Sequence, residues 1–412
     1  MTRPLVVLLT SRFPFGSGEQ FIESELPHWQ GKDVDLVIVP EKNDTPRVSP
    51  RAVPAGIRVD SGLTARWRSP LWRLLGAVRA LTDTLLWREV RTLTDLGRFD
   101  AARVAFVLRT AIQVAVVRRY LRDRYRGADL VYAYWLSVSA DAAALERRCG
   151  TVAHAVARTH NADLYEDRHP LGHHPFVRQI AADLSRLQPI AEDGAQFAME
   201  RYGFAPGSVI VNRLGVRIPT DRCAATGPGT LTLMSVSTMS RFKRLDLLID
   251  SLACLHRDHP EVDLHWIHAG DGPFHAALAD RAARCLDGVD VTWLGHLPNE
   301  ELLAWYRDHR VDLLVNTSSS EGIPVSIMEA MARGIPALGT DVGGVREIVP
   351  PHWLLAPDPT PQEVADAMAE HLTLAKDPTV REAMARLIHE RFDADANYER
   401  FVNGLVELAR KP

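Results

Sequence analysis

No apolar run in this sequence approaches the roughly 20 residues needed to cross a bilayer as a helix. The first apolar run, Leu5–Leu9, holds five residues before Thr10, Ser11 and Arg12. That is shorter than the core of about 7–15 residues in a secretory signal, so a soluble cytoplasmic protein is expected. There are only four cysteines (Cys149, Cys223, Cys254, Cys285), with no C-x-x-C spacing. This excludes a disulfide framework and a zinc ribbon and suits a reducing compartment. Charge of one sign is not in excess, since the formal net charge is −4. A chain-wide polyanion-binding surface is therefore excluded and no nucleic-acid partner is expected. Internal repeats and low-complexity tracts are absent.

At 412 residues, the chain is about two to three times the usual domain size. Its 46% hydrophobic and 24% charged residues are globular values. Short apolar runs alternate with helical stretches throughout. Strands are expected at Pro4–Thr10, Asp35–Pro40, Asp129–Trp135, Val152–Thr159, Ser208–Leu214, Leu231–Ser237, Asp263–Ala269, Val291–Leu294, Asp312–Thr317 and Ile335–Thr340. The runs are continuously apolar rather than alternating, as in parallel strands covered on both faces. Too many for one core, they divide into two doubly wound, Rossmann-like α/β domains. Residues 1–214 form the first domain, 215–229 a linker rich in Pro, Gly and small residues, and 230–391 the second. Residues 64–126 interrupt the rhythm: helical throughout, they carry 14 arginines against five acidic residues, with Trp67, Trp72 and Trp87 among them. Such a basic, aromatic segment is compatible with peripheral contact with an anionic membrane. It is equally compatible with a solvated arginine face over inward-packed tryptophans.

The strongest chemical signal is the segment Ser318–Pro336, which reads SSSEGIPVSIMEAMARGIP. It follows the strand Asp312–Thr317 and enters a helix near Pro324, with Gly334 and Pro336 as a stop. Glu321 then lies in a loop at the carboxyl end of a strand, where open α/β sheets bind ligands. Glu329 falls a little over two helical turns beyond it. Gly322 permits close backbone approach, and free amides at Gly322, Ile323, Val325 and Ser326 suit a diphosphate. Two carboxylates around an anion site can hold vicinal hydroxyls, such as those of a nucleotide sugar.

With these motifs in place, Leu231 to Ile348 resembles the C-terminal half of the retaining family 4 glycosyltransferases, which have the GT-B fold. Glu321 and Glu329 match that family's Glu-x7-Glu pair, and Gly334–Ile348 follows its pattern. The resemblance implies that Glu321 contacts the transferred sugar and Glu329 the ribose. It also implies that Lys243 meets the diphosphate, while the family's arginine position is occupied by Thr238, leaving Arg241, or the Thr238 hydroxyl with the loop amides, to serve there. Gly270 and Gly272 would keep backbone near the nucleotide, and Gly295 with His296 would border the base. In the first domain the match is looser. Gly16 and Gly18 fall where such enzymes approach the donor, Glu19 and Gln20 where an acceptor is contacted. His160 takes the place of the imidazole near the scissile bond, with Asp163 orienting it or binding acceptor. His160, Glu321 and Lys243 are thus the expected catalytic residues.

Neither His169, His173 and His174 nor Asp33-Val-Asp35 has the spacing or placement of a metal site, so no metal or other cofactor is expected. The final segment, residues 392–412, resembles the helix that crosses back onto the first domain. The implied activity is retaining transfer of a hexose-type sugar from a nucleoside diphosphate to a hydroxyl acceptor, glycan or lipid-linked, for a bacterial surface polysaccharide. The family's architecture implies reaction in a cleft between the domains. The same fold serves sugar phosphorylases and sugar-nucleotide epimerases. A non-catalytic glycosyltransferase-like binding protein is a further alternative, favoured by Thr238 and opposed by the intact Glu321, Glu329, Lys243 and His160.

Overall fold

The computed structural model describes residues 3–16, 18–43 and 50–411. Ser17, within the Gly-Ser-Gly turn, lies outside them. The chain forms two compact units, Met1–Arg213 with Ala396–Pro412, and Leu214–Asp395.

The first unit is a six-stranded sheet in the order β3-β2-β1-β4-β5-β6. The strands are β1 (Leu5–Thr10), β2 (Asp35–Pro40), β3 (Arg58–Val59), β4 (Leu130–Ala133), β5 (His154–Thr159) and β6 (Arg186–Pro189). All pairings are parallel. Alternate residues enter different cores: Val7, Leu9, Val37 and Val131 join one cluster, Val6, Leu8, Ile38 and Leu130 another. Strands β1, β2 and β4 are therefore apolar on both faces, which is why their sequences read as continuous runs. The helices are α1 (Gln20–Glu25), α2 (Gly62–Arg68), α3 (Pro70–Thr82), α4 (Thr84–Asp95), α5 (Ala101–Arg124), α6 (Val138–Arg148), α7 (Val177–Ile180) and α8 (Glu192–Phe197).

The second unit repeats the topology, in the order β12-β11-β10-β7-β8-β9. Its strands are β7 (Thr230–Val236), β8 (Asp263–Ala269), β9 (Asp290–Gly295), β10 (Leu313–Asn316), β11 (Ala337–Thr340) and β12 (Leu354–Leu355). Its helices are α9 (Leu245–Asp258), α10 (His275–Cys285), α11 (Asn299–Asp308), α12 (Val325–Ala332), α13 (Val345–Ile348), α14 (Pro361–Glu370) and α15 (Pro378–Arg391). The chain then returns to the first unit in α16 (Ala394–Ala409), whose Phe401, Val402 and Leu405 complete the second core cluster there. In each sheet the first strand has a neighbour on either side, β2 and β4 around β1, β8 and β10 around β7. Each sheet thus has a switch point where the winding reverses and a ligand crevice opens at the carboxyl ends.

One sequence expectation is corrected, and two are made more exact. Ser208–Leu214 is not a strand; Val209 forms a single bridge to Leu187, and the edge position belongs to β6, whose Arg-Leu-Gln-Pro sequence is not an apolar run. The segment 64–126 is helical as expected and is divided among α2, α3, α4 and α5, with breaks at Ser69, at Asp83 and between Leu96 and Asp100. Asp83 and Asp100 cap α4 and α5 by accepting from the Leu85 and Arg103 amides. Residues 215–229 are packed along the second unit: Val216 bridges Asp393, Ala224 bridges Arg310, and Arg381 donates to the Cys223 carbonyl at 2.7 Å.

Candidate functional site

The loops leaving β7 and β10 flank the switch point of the second unit, and they are fastened together by backbone. Ser319 N donates to the Phe242 carbonyl at 2.8 Å, and the Thr317 hydroxyl donates to the Lys243 and Arg244 carbonyls. Arg244, held at a positive φ of 47°, donates to the carbonyls of Thr317 (2.6 Å), Ser318 (3.1 Å) and Pro357 (2.8 Å). Arg244 is therefore spent on structure. Lys243 beside it is directed inward, and its Nζ lies 2.5 Å from Glu321 Oε1. Asn316, the last residue of β10, donates to the same oxygen at 3.3 Å. Thr238 and Arg241 are exposed on the same loop, and Arg241 makes no ion pair with a described residue.

Glu329 projects from α12, whose entry at Pro324 and end at Gly334 (φ 78°) match the sequence expectation. Its carboxyl is 8% exposed and accepts one hydrogen bond, from Asn299 Nδ2 at 2.7 Å. Burial raises its pKa; the Asn299 bond and Arg333 only partly oppose this. The amides of Val325 and Ser326 stand in the first turn of α12, ahead of its repeating hydrogen bonds. Gly322 and Ile323 are buried in the loop before it.

The glycines expected near nucleotide have a structural reason first. A Cβ on Gly270 would stand 1.8 Å from the Ser237 carbonyl oxygen, and one on Gly272 2.6 Å from that of Met239. Both residues let the loop after β8 lie against the loop after β7. Gly295 differs: it turns at φ 67° with open space around it, and His296 beyond it is exposed.

In the first unit, Gly16 and Gly18 both adopt positive φ in the loop after β1. Glu19, expected at the acceptor, is bonded within its own loop and to Trp135. Its carboxylate accepts from the amides of Ser11, Arg12 and Phe13 and from Trp135 Nε1, each at 2.8 Å. It anchors the loop, whereas Gln20 is exposed at the start of α1. Asp163 is similarly committed, accepting from the His160 amide at 2.8 Å and the Leu136 amide at 2.9 Å. It thereby joins the loops after β5 and β4.

His160 sits beneath these contacts, its ring against Trp135 (4.5 Å between centroids) and Tyr134 (5.0 Å). Neither ring nitrogen has a hydrogen-bond partner among the described residues, and Nδ1 is 3.8 Å from Asp163 Oδ2. Burial lowers its pKa against the opposing pull of Asp163, so the ring is neutral at neutral pH. The other nearby histidines are structural: His173 pairs with Glu89 at 2.8 Å, and His174 meets the carbonyls of Leu136 and Asp163, with its pKa lowered to about 3 by burial.

Sequence reasoning missed Asn299, Asn316, Arg244, Trp135 and Tyr134. Only the last strand residue, Asn316, had a positional signal, five residues before Glu321.

Comparison with solved structures shows the fold. The chain has the GT-B fold, matching the lipopolysaccharide outer core galactosyltransferase WaaB with a TM-score of 0.67 at 17% identity, over 98% of this chain and 99% of that one. Anabaena Alr3699/HepE in complex with UDP-glucose matches with a TM-score of 0.64 at 17% identity, again over 98% and 99%. Residues 230–373 match the family described as glycosyl transferases group 1. That match spans about a third of the chain and, with relatives that are themselves glycosyltransferases, supports a transferase enzyme. The putative colanic acid biosynthesis glycosyltransferase WcaL of Salmonella typhimurium is 27% identical over 68% of this chain and 70% of its own length. The D-inositol 3-phosphate glycosyltransferase of Nocardia farcinica is 31% identical over 57% and 56%. A component of the phosphatidylinositol N-acetylglucosaminyltransferase of Arabidopsis thaliana is 24% identical, and the match spans only 44% of its length.

Proposed function

We propose that this chain is a retaining transferase moving a hexose-type sugar from a nucleoside diphosphate to a hydroxyl on a glycan or lipid-linked acceptor in bacterial surface-polysaccharide synthesis. The observation that carries the reading is the Lys243–Glu321 pair at the β7/β10 switch point, with the buried Glu329 held on the following helix. A cation placed for a departing diphosphate beside a carboxylate placed for sugar hydroxyls is what nucleotide-sugar chemistry requires. Colanic acid and teichuronic acid glycosyltransferases among the relatives support the acceptor class.

In this mechanism the bond between the anomeric carbon and the diphosphate oxygen breaks while the acceptor oxygen bonds to the same face. The acceptor proton passes to the leaving phosphate oxygen. Negative charge grows on the diphosphate, so Lys243, Arg241 and the amides before Glu329 act most strongly in the transition state. Lys243 exchanges Glu321 for phosphate as donor binds, freeing Glu321 for the sugar. His160, neutral and with both nitrogens available, serves as a hydrogen-bonding group toward the sugar rather than as a cation. No metal takes part in this scheme. Peripheral contact of residues 64–126 with an anionic membrane belongs to the same proposal.

The test is a thermal-shift panel of UDP, GDP, ADP, CMP and dTDP without added metal, on wild type and Glu329→Ala. A ligand that binds only the native state raises the melting temperature by mass action. One nucleotide should give a shift that Glu329→Ala reduces. No shift with any nucleotide would overturn the reading.

A further inference from the structure

A surface helix ordinarily turns an apolar stripe inward and a polar face outward. Helix α3 does not. Its inward side is made by Gly76 and Ala80, both buried; a Cβ on Gly76 would meet Val116 at 2.9 Å and the Ile112 carbonyl at 3.1 Å, so α3 lies close against α5. At about 100° per residue, Leu71, Leu74, Leu75, Val78 and Leu81 fall on one arc on the opposite side. These five are 61, 63, 49, 56 and 49% exposed. Trp87, 58% exposed, extends the patch: its indole Nε1 donates to the Leu81 carbonyl at 2.9 Å, so its polar edge is tied down while the ring stays in solvent.

The surroundings are rich in arginine and partly neutralised: Asp123 pairs with Arg66 and Arg119, Glu146 with Arg122, and Asp83 lies 3.8 Å from Arg79. A groove beside α3 is lined by Trp72, Leu75 and Gly76 together with Arg79, Arg119 and Arg122. Arg66 lies over the Trp72 ring at 4.3 Å from the centroid, and Arg73 stands exposed on α3 itself. An apolar strip bordered by arginines is complementary to acyl chains beneath anionic headgroups. A soluble protein partner would match the strip but has no need of the arginine border.

We propose that the outward face of α3, with Trp87, inserts into the interfacial layer of an anionic membrane, and that the arginines of α3 and α5 hold the headgroups. This deepens the membrane contact proposed above by assigning it to one face: α3 inserts, Trp67 and Trp72 stay packed on the protein, and the rest of 64–126 is scaffold. The helix lies in the interface plane, since no described helix is long and apolar enough to cross a membrane.

The experiment is co-sedimentation of the full chain with phosphatidylcholine vesicles, with and without about one-third phosphatidylglycerol, at low and high salt. Wild type should bind the anionic vesicles and be released by salt. Leu74→Glu/Val78→Glu should weaken binding at least about tenfold, since it removes apolar insertion and adds negative charge. Leu74→Ser/Val78→Ser, which adds no charge, should weaken it less. Arg79→Glu/Arg119→Glu should lose the preference for anionic lipid. All variants should keep the wild-type nucleotide thermal shift, which reports on folding and on the donor site separately. If wild type binds anionic vesicles and both α3 variants bind equally well, the assignment to α3 is wrong while membrane contact stands. If wild type binds neither vesicle, the membrane reading itself fails. Self-association abolished by Leu74→Glu/Val78→Glu, without vesicle binding, would assign the face to a second copy and overturn the proposal.

Discussion

Replacing Glu329 with Gln separates what its carboxylate does for the fold from what it does for a ligand. The carboxyl is buried, and its one hydrogen bond comes from Asn299 at 2.7 Å. A glutamine Oε1 can accept that same bond, so the fold loses no partner. Burial raises the Glu329 pKa in the native state, which means that the folded protein holds this proton to higher pH than the unfolded chain. Stability from this group is therefore full at low pH and is lost as pH rises through the raised native pKa. Glutamine has no such cost. At pH 7 Glu329→Gln should melt no lower than wild type, and any advantage should shrink toward acid pH. Nucleotide binding should move the other way. A hydroxyl-to-carboxylate hydrogen bond contributes about 1.5–3 kcal/mol, so the nucleotide should bind about 10- to 150-fold more weakly. Differential scanning fluorimetry against pH, with calorimetric titration of the preferred nucleotide, reads both. Unchanged nucleotide affinity would refute the ribose role. A fall in melting temperature of several degrees would show the carboxylate to be structural.

Lys243→Met should leave Glu321 with only the long Asn316 contact and lower kcat by about 100-fold or more, in the range seen when one charge-stabilising donor is removed; intact turnover would remove Lys243 from the mechanism. Gly343→Ala should be severe, because at φ 52° its Cβ would stand 1.9 Å from the Glu321 carbonyl oxygen. By contrast, Gly295→Ala, with open space at φ 67°, should cost only about 1–2 kcal/mol of left-handed strain; denaturant midpoints for the two variants should differ clearly. Asp141 is buried with one oxygen unpartnered, and burial, then Glu89 and Glu41, raise its pKa well above the ordinary carboxylate range. Its raised native pKa means that stability is lost as pH rises, so Asp141→Asn should be the more stable form at pH 8 and converge with wild type in acid; greater stability of wild type at pH 8 would contradict this.

The fold was legible because most of its strands are buried on both faces and announce themselves as unbroken apolar runs. Asp35–Pro40 and Asp263–Ala269 match the expected bounds residue for residue. Three strands escaped. β3 and β12 have two residues each, and β6 is an edge strand whose arginine, glutamine and proline give no apolar run. The Glu321 and Glu329 elements were legible because a strand, a loop and a capped helix are all local. What each carboxylate bonds to was not: Asn299 is 30 residues from Glu329, Lys243 is 78 from Glu321, and Trp135 is 116 from Glu19. Glu19 shows the limit most clearly. An acidic residue after a Gly-Ser-Gly turn looks the same in sequence whether it meets a substrate or collects three amides of its own loop.

The partners missed in the sequence share one role, which is to remove conformational choice from groups proposed to meet the substrates. Asn316 and Lys243 fix Glu321, Asn299 fixes Glu329, and Arg244 joins the loops that carry Lys243 and Glu321. In the first unit Glu19 holds Trp135, whose ring covers His160, while Asp163 holds the His160 backbone from the other side. The contrast in hydrogen bonding follows from this division. Glu19 accepts four hydrogen bonds and cannot serve a ligand without dismantling its loop, and each Asp163 oxygen already holds a backbone amide, whereas His160 keeps both nitrogens unpaired among the described residues although its side chain is 9% exposed. An unpaired buried imidazole costs stability. Its retention inside so fully bonded a frame is intelligible if a bound substrate supplies the missing partner. A frame fixed in advance then keeps the cost of ordering the site out of the binding step.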